Sequence, residues 1–199
     1  MARQITPVIC ILVICVVAAV LAGCASPATR FYTLSTSTST VAPASSLSIS
    51  VGPVIVPAAV DRPEIVVILS PNQVRLEEFD RWASPLRDEI SRVVAGNLVA
   101  SLGTQRVTQS AGSSSADADY RVSIEVQRFD STPGEAATLD AVWTLRRPSD
   151  SQSTTGRTST REPVREPGYD GLAAAHSRAL ARLSQDIADA VRALAATSG

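Results

Sequence analysis

The chain has 199 residues, 18 basic and 19 acidic side chains, one His and three Cys, and a formal net charge of −1. All the basic residues are Arg, scattered with no patch or stripe, which excludes nucleic-acid binding as the organising function. One His, His176, with no cysteine cluster excludes a conventional transition-metal centre.

The N-terminus opens with a positive charge at Arg3, then an uncharged apolar run from Pro7 or Val8 to Leu21. That run is roughly 14 residues, inside the window for the apolar core of a secretory signal. It is shorter than the about 20 residues of a spanning helix. The run closes on Leu21-Ala22-Gly23-Cys24, which resembles the processing site of bacterial lipoproteins. The resemblance implies cleavage between Gly23 and Cys24, with residues 1–23 removed as signal peptide. Cys24 then becomes an N-terminus carrying acyl and diacylglycerol groups, the only covalent group the sequence implies. Cys10 and Cys15 leave with the signal, so no disulfide framework or cysteine metal site survives. One acyl chain anchors marginally and two or more hold firmly, at about 0.8 kcal/mol per buried methylene. Ala25 and Ser26 follow the Cys where an Asp would signal inner-membrane retention. The expected location is the periplasmic face of the outer membrane.

Residues 24–30 form a short tether, and 31–199 are expected to fold as one periplasmic domain. Phe31-Tyr32-Thr33-Leu34 reads as a small strand. Residues 35–46 are Ser, Thr, Ala and Pro and read as a solvated loop or linker. Leu47–Pro57 alternates with period two in its first half and reads as a strand, with Gly52-Pro53 as a bulge or edge position. Glu64–Leu69 and Val74–Phe79 read as two more strands. A helix follows: Ser84 can cap it, Pro85 occupies its first position, and Asp88 and Glu89 sit in its first turn. Leu86, Ile90, Val93, Val94, Leu98 and Leu102 recur at helical spacing, and Gly103 stops the helix.

A strand at Gln105–Thr108 and a Gly/Ser/Ala/Asp loop at 109–118 follow. Tyr120–Gln127 alternates as a half-buried strand. A turn at Pro133-Gly134 connects it to a second alternating strand, Ala136–Arg147, as an antiparallel hairpin. Gly156–Val164 reads as an edge strand. The last helix spans Asp170–Ala196, with Leu172, His176, Leu180, Leu183, Ile187, Val191 and Leu194 on one stripe and charged residues opposite. The fold class is α+β: a two-layer sandwich of a mostly antiparallel or mixed sheet with two helices packed on it.

Three segments of the exported part carry a resemblance. Tyr32-Thr33-Leu34, Asp61-Arg62-Pro63 followed by Ile65-Val66, and Arg81-Trp82-Ala83-Ser84-Pro85-Leu86 occur in order ahead of the long C-terminal helix. Together they resemble the paraquat-inducible protein C family of ABC-type transport auxiliary lipoproteins, whose segments read YTL, DRPQIV and RWAEPL. Two positions depart: Glu64 stands for the family's Gln, and Ser84 for its Glu. Ser84 removes a carboxylate that could pair with Arg81 or cap the helix. The resemblance covers nearly all of the exported chain. It implies a non-enzymatic accessory role beside a mammalian-cell-entry (MCE) type transporter moving lipids or other hydrophobic molecules between the two membranes. It also implies an MCE-domain protein as partner and assembly as a ring of copies.

Asp61, Arg62, Pro63, Arg81, Trp82 and Pro85 are therefore candidate motif or partner-contact residues. Arg62 and Arg81 have the planar fork favoured at interfaces. The same side chains could equally be surface ion pairs with Asp61, Glu64 or Asp80. Trp82 is expected to plug the core against the first helix. His176, on an apolar stripe with no nucleophile motif near it, is expected to pack or hydrogen-bond rather than act as a base. No nucleophile elbow, telling carboxylate pair or metal cluster supports a hydrolase. A structural envelope lipoprotein unrelated to transport is the competing reading.

Overall fold

The computed structural model describes residues 27–37, 42–109 and 117–197. The export signal, Gly23 and Cys24 lie outside the described residues.

Among the described residues, eight strands and two helices follow in order: β1 (Arg30–Tyr32), β2 (Ser48–Ile55), β3 (Glu64–Ser70), β4 (Gln73–Trp82), α1 (Leu86–Leu102), β5 (Arg106–Gln109), β6 (Tyr120–Thr132), β7 (Ala136–Arg147), β8 (Gln152–Pro163) and α2 (Gly168–Ala196). The strands form a single mixed sheet organised around β6. One edge of β6 pairs with β7 along its whole length, and β8 pairs with β7 beyond it, both antiparallel. The other edge forks. The first half of β6 pairs parallel with β2, which pairs parallel with β5. Its far end meets β3 only at Val67 and Ser131. Beyond β3 lie β4, antiparallel, and β1, parallel to β4. The longest ladders are antiparallel, while β1, β2 and β5 enter in parallel. A parallel return needs a long crossover, and α1 supplies it between β2 and β5.

The helices lie on one side of the sheet. Ile49, Val51, Val122, Ile124, Leu139 and Leu145 are fully buried, and so are Ile90, Val94, Leu98, Leu180, Leu183 and Ile187 from the helices. Each such aliphatic side chain stabilises the fold by about 1.5–3 kcal/mol relative to exposure. The whole expected stripe of α2, from Leu172 to Leu194, is buried. Gly103 closes α1 at φ 64°, the left-handed conformation of a helix stop. The β6–β7 hairpin turns at Gly134, φ 73°, and β6 carries a bulge between Val126 and Arg128.

Several expectations are corrected. Ser84 makes no cap: α1 starts from Pro85, whose carbonyl accepts the Asp88 and Glu89 N–H groups, and no side chain caps it. Glu89 sits in the first turn as expected, and it is buried. β8 begins four residues earlier than the Thr-rich pattern marks, because Gln152–Thr155 have backbone partners on β7. The strand expected at Val74–Phe79 forms within β4, and its Val74 and Leu76 are exposed. β3 is in ladder register with the sheet's centre at one residue pair, and Leu69 and Val74 at the tip of the β3–β4 hairpin are exposed. Gly52-Pro53 is a bulge as expected: the β2–β6 register shifts between Val51 and Val54.

The Ser/Thr-rich segment has no regular structure, yet its described parts are not a free linker. The Ser35 N–H donates to Ser177 Oγ and the Ser37 N–H to Asn97 Oδ1, at 3.0 Å each. Further on, the Ala42 N–H donates to the Ala100 carbonyl and the Ser45 N–H to the Gly103 carbonyl. The segment is strapped across both helices. The approach is close: a Cβ on Gly103 would lie 1.9 Å from the Pro43 carbonyl oxygen.

Candidate functional site: a groove where three motif segments meet

Backbone hydrogen bonds stitch the three motif segments together. The Trp82 N–H donates to the Pro63 carbonyl, and the Ala83 N–H donates to the Tyr32 carbonyl, both at 2.8 Å. Segments separated by tens of residues thus converge where β1, the start of β3, the end of β4 and the start of α1 come together. They line a groove of about 430 Å³ formed by Phe31, Asp61, Arg62, Pro63, Arg81, Trp82, Ala83, Ser84, Pro85 and Arg87. All six candidate motif residues are in it.

Their roles differ. Trp82 is 5 % exposed and forms the floor. Its ring meets Phe129 and His176 edge-on, at centroid distances of 6.2 and 6.3 Å. Its ring contacts are therefore with β6 and α2. Asp61, Arg62, Pro63 and Pro85 are exposed on the walls and Arg81 is half-buried. Arg81 Nη2 pairs with Glu64 at 3.3 Å, while Arg62 lies 3.9 Å from the same carboxylate. Glu64, one of the two departures, thus supplies the carboxylate that Ser84 lacks. Arg87 is 3.5 Å from Asp61. These are loose, exposed pairs, worth little to stability.

The Tyr32-Thr33-Leu34 segment is a clamp, which sequence reasoning missed. The Tyr32 hydroxyl donates to Asp80 Oδ1 at 2.8 Å, and Arg30 pairs with the same carboxylate. Burial, reinforced by that hydrogen bond to Asp80, pushes the Tyr32 phenol up to about 12. Two residues on, Glu89 Oε2 accepts the Leu34 N–H at 2.9 Å and Arg92 Nη2 at 2.6 Å. Arg92 also donates to the Leu34 carbonyl. Both polar groups of one residue are held by an ion pair from α1, so the chain is fixed to the domain within a few residues of its tether. The only sequence signal was an acid and an Arg three apart, Glu89 and Arg92, in the first helix.

His176 is fully buried. Its Nε2 is 2.8 Å from Ser131 Oγ, and its ring stacks on Phe129 at 3.8 Å and 7°. Nδ1 has no hydrogen-bond partner. Burial drops its pKa to about 3, so the ring is neutral. Among the described residues, no three His, Cys, Asp or Glu side chains gather as a metal site would require.

Phe31, at the mouth of the groove, was expected only as a strand residue. It is 65 % exposed, because strand alternation turns it to the face opposite the buried Tyr32.

The sequence pattern of the family described as "ABC-type transport auxiliary lipoprotein component" matches residues 32–188, and the chain belongs to that family. Two solved structures share the fold. A protein described as uncharacterized is 22% identical, with a TM-score of 0.67, covering 83% of this chain and 99% of its own. A protein from Xanthomonas campestris is 21% identical, with a TM-score of 0.66, covering 80% and 93%. No curated protein matches the sequence. The chain is thus an accessory component of ABC-type transport rather than its ATPase or its permease.

Proposed function

We propose that the protein is a non-enzymatic accessory subunit of an MCE-type ABC transport system, held on the periplasmic face of the outer membrane by acyl groups on Cys24. It stands opposite an MCE-domain protein and supports movement of lipids or other hydrophobic molecules between the membranes, as a ring of copies. Family membership supports the transport role. The observation that carries the anchored architecture is the clamp: β1 begins six residues after Cys24, and Tyr32 and Leu34 are bound to Asp80, Glu89 and Arg92 directly after it. A pull on the anchor is therefore transmitted to β4 and α1 instead of unravelling a linker.

The test is fractionation with affinity capture. Mature protein should cofractionate with outer membranes and begin at an acylated Cys24 by mass spectrometry, and Cys24→Ala should abolish both. Crosslinked membranes should yield an MCE-domain protein with the wild-type chain. Repeated recovery of the acylated protein without that partner would favour a structural envelope role and refute the transport assignment.

A further inference from the structure

The groove that gathers the motif residues has the composition of a membrane-contact face, and we propose that its occupant is the anionic phospholipid surface of the anchoring bilayer. This inference rests on the acylation of Cys24 proposed above. It assigns Phe31, Arg62, Arg81 and Arg87 to lipid contact and leaves the protein partner to another face.

Reach comes first. Phe31 follows Cys24 by seven positions, and a fully extended chain of that length spans at most about 25 Å. A domain of this size is roughly 40 Å across. The groove therefore lies toward the tethered end, with Phe31 held within about 25 Å of the anchor.

Chemistry comes second. Phe31 is the most exposed of the large apolar side chains on the described surface. An aromatic side chain in that position gains about 1.5–3 kcal/mol by entering an apolar phase, and apolar side chains beside basic ones are the pattern of interfacial binding. Arg62, Arg81 and Arg87 line the groove with it, with side chains 40 %, 38 % and 54 % exposed. Asp61 and Glu64 stand among them and neutralise much of this charge. The pairs at Arg62 and Arg87, 3.9 and 3.5 Å long, leave donor groups free. A guanidinium fork donates two parallel hydrogen bonds to a phosphate diester. Trp82 beneath is buried and gives a stiff floor, so the walls meet the surface without being reordered.

The experiment uses the acylated protein reconstituted in vesicles of phosphatidylethanolamine and phosphatidylglycerol. Phe31→Trp places a fluorophore at the groove mouth. The native Trp82 and Trp143 are buried and give a wild-type baseline. Brominated acyl chains should quench the signal of the introduced indole and leave the baseline unchanged. Quenching should be at least about twofold stronger in the anionic vesicles than in phosphatidylcholine vesicles, and Arg62→Gln with Arg87→Gln should remove that difference, as expected where each basic side chain adds up to about 1 kcal/mol at such a surface. Absence of bromolipid quenching in protein that is demonstrably acylated and vesicle-bound overturns the inference and leaves the anchoring intact. Protection from an aqueous quencher only when membrane extract containing the transporter is added would assign the groove to a protein, and also overturns it. Failure of the protein to acylate counts against the function proposed above, and mass spectrometry reports it separately.

Discussion

His176 offers the sharpest quantitative test of the fold, because its neutral state is enforced by burial alone. Its pKa falls from 6.5 in the unfolded chain to about 3 in the folded one, the cause being desolvation. A group whose folded pKa is depressed contributes stability that is complete above its unfolded pKa and is lost as pH falls toward the folded value. The window here runs from pH 6.5 down to about 3. Between about pH 7 and pH 5 the unfolded His takes up nearly a full proton and the folded one almost none, so linkage removes about 2 kcal/mol of stability. For a domain of this size that is a fall in Tm of about 4–8 °C. Carboxylates also titrate near the lower end, so the comparison is with His176→Gln. That variant can still meet Ser131 but carries no titrating group. It should be less stable at neutral pH through loss of the Phe129 stack, yet its stability should fall between about pH 7 and 5 by about 2 kcal/mol less than the wild type. Thermal or urea unfolding followed by circular dichroism across that pH range measures both slopes. Equal slopes within about 0.5 kcal/mol would show that His176 is solvated or charged in the folded protein, and the described core would be wrong at that point.

Other outcomes follow from named contacts. Gly103→Ala forces a side chain into a left-handed position and against the Pro43 carbonyl, and should cost more than about 1 kcal/mol in urea unfolding. Glu89→Ala removes the acceptor of the Leu34 N–H and the partner of Arg92. It should cost about 1–3 kcal/mol and raise hydrogen exchange selectively at the Leu34 amide. Gly156→Val would drive a Cβ to 2.1 Å from the Trp143 ring, displacing the indole from Thr158. A loss of about 1–3 kcal/mol with a changed Trp143 emission is expected. Unchanged emission would mean that the ring does not lie on that glycine.

The legible parts of this chain are those with a period or a covalent rule. The α2 stripe from Leu172 to Leu194 and the alternation in β6 and β7 mark buried faces locally, because helical and strand geometry project each side chain at a fixed angle. The signal-like run ending at Cys24 and the arrangement of Tyr32-Thr33-Leu34, Asp61-Arg62-Pro63 and Arg81–Leu86 were also readable in linear order. The sequence did not show that these segments meet, since only strand pairing brings β1 onto the end of β4 and Pro63 beside Trp82. The parallel entry of β2 beside β6, the burial of Glu89 and the exposure of Phe31, Val74 and Leu76 were likewise decided by distant neighbours. A side chain's local pattern fixes which way it points; what it points at depends on segments elsewhere in the chain, and so the fold alone turned three separate words into one groove.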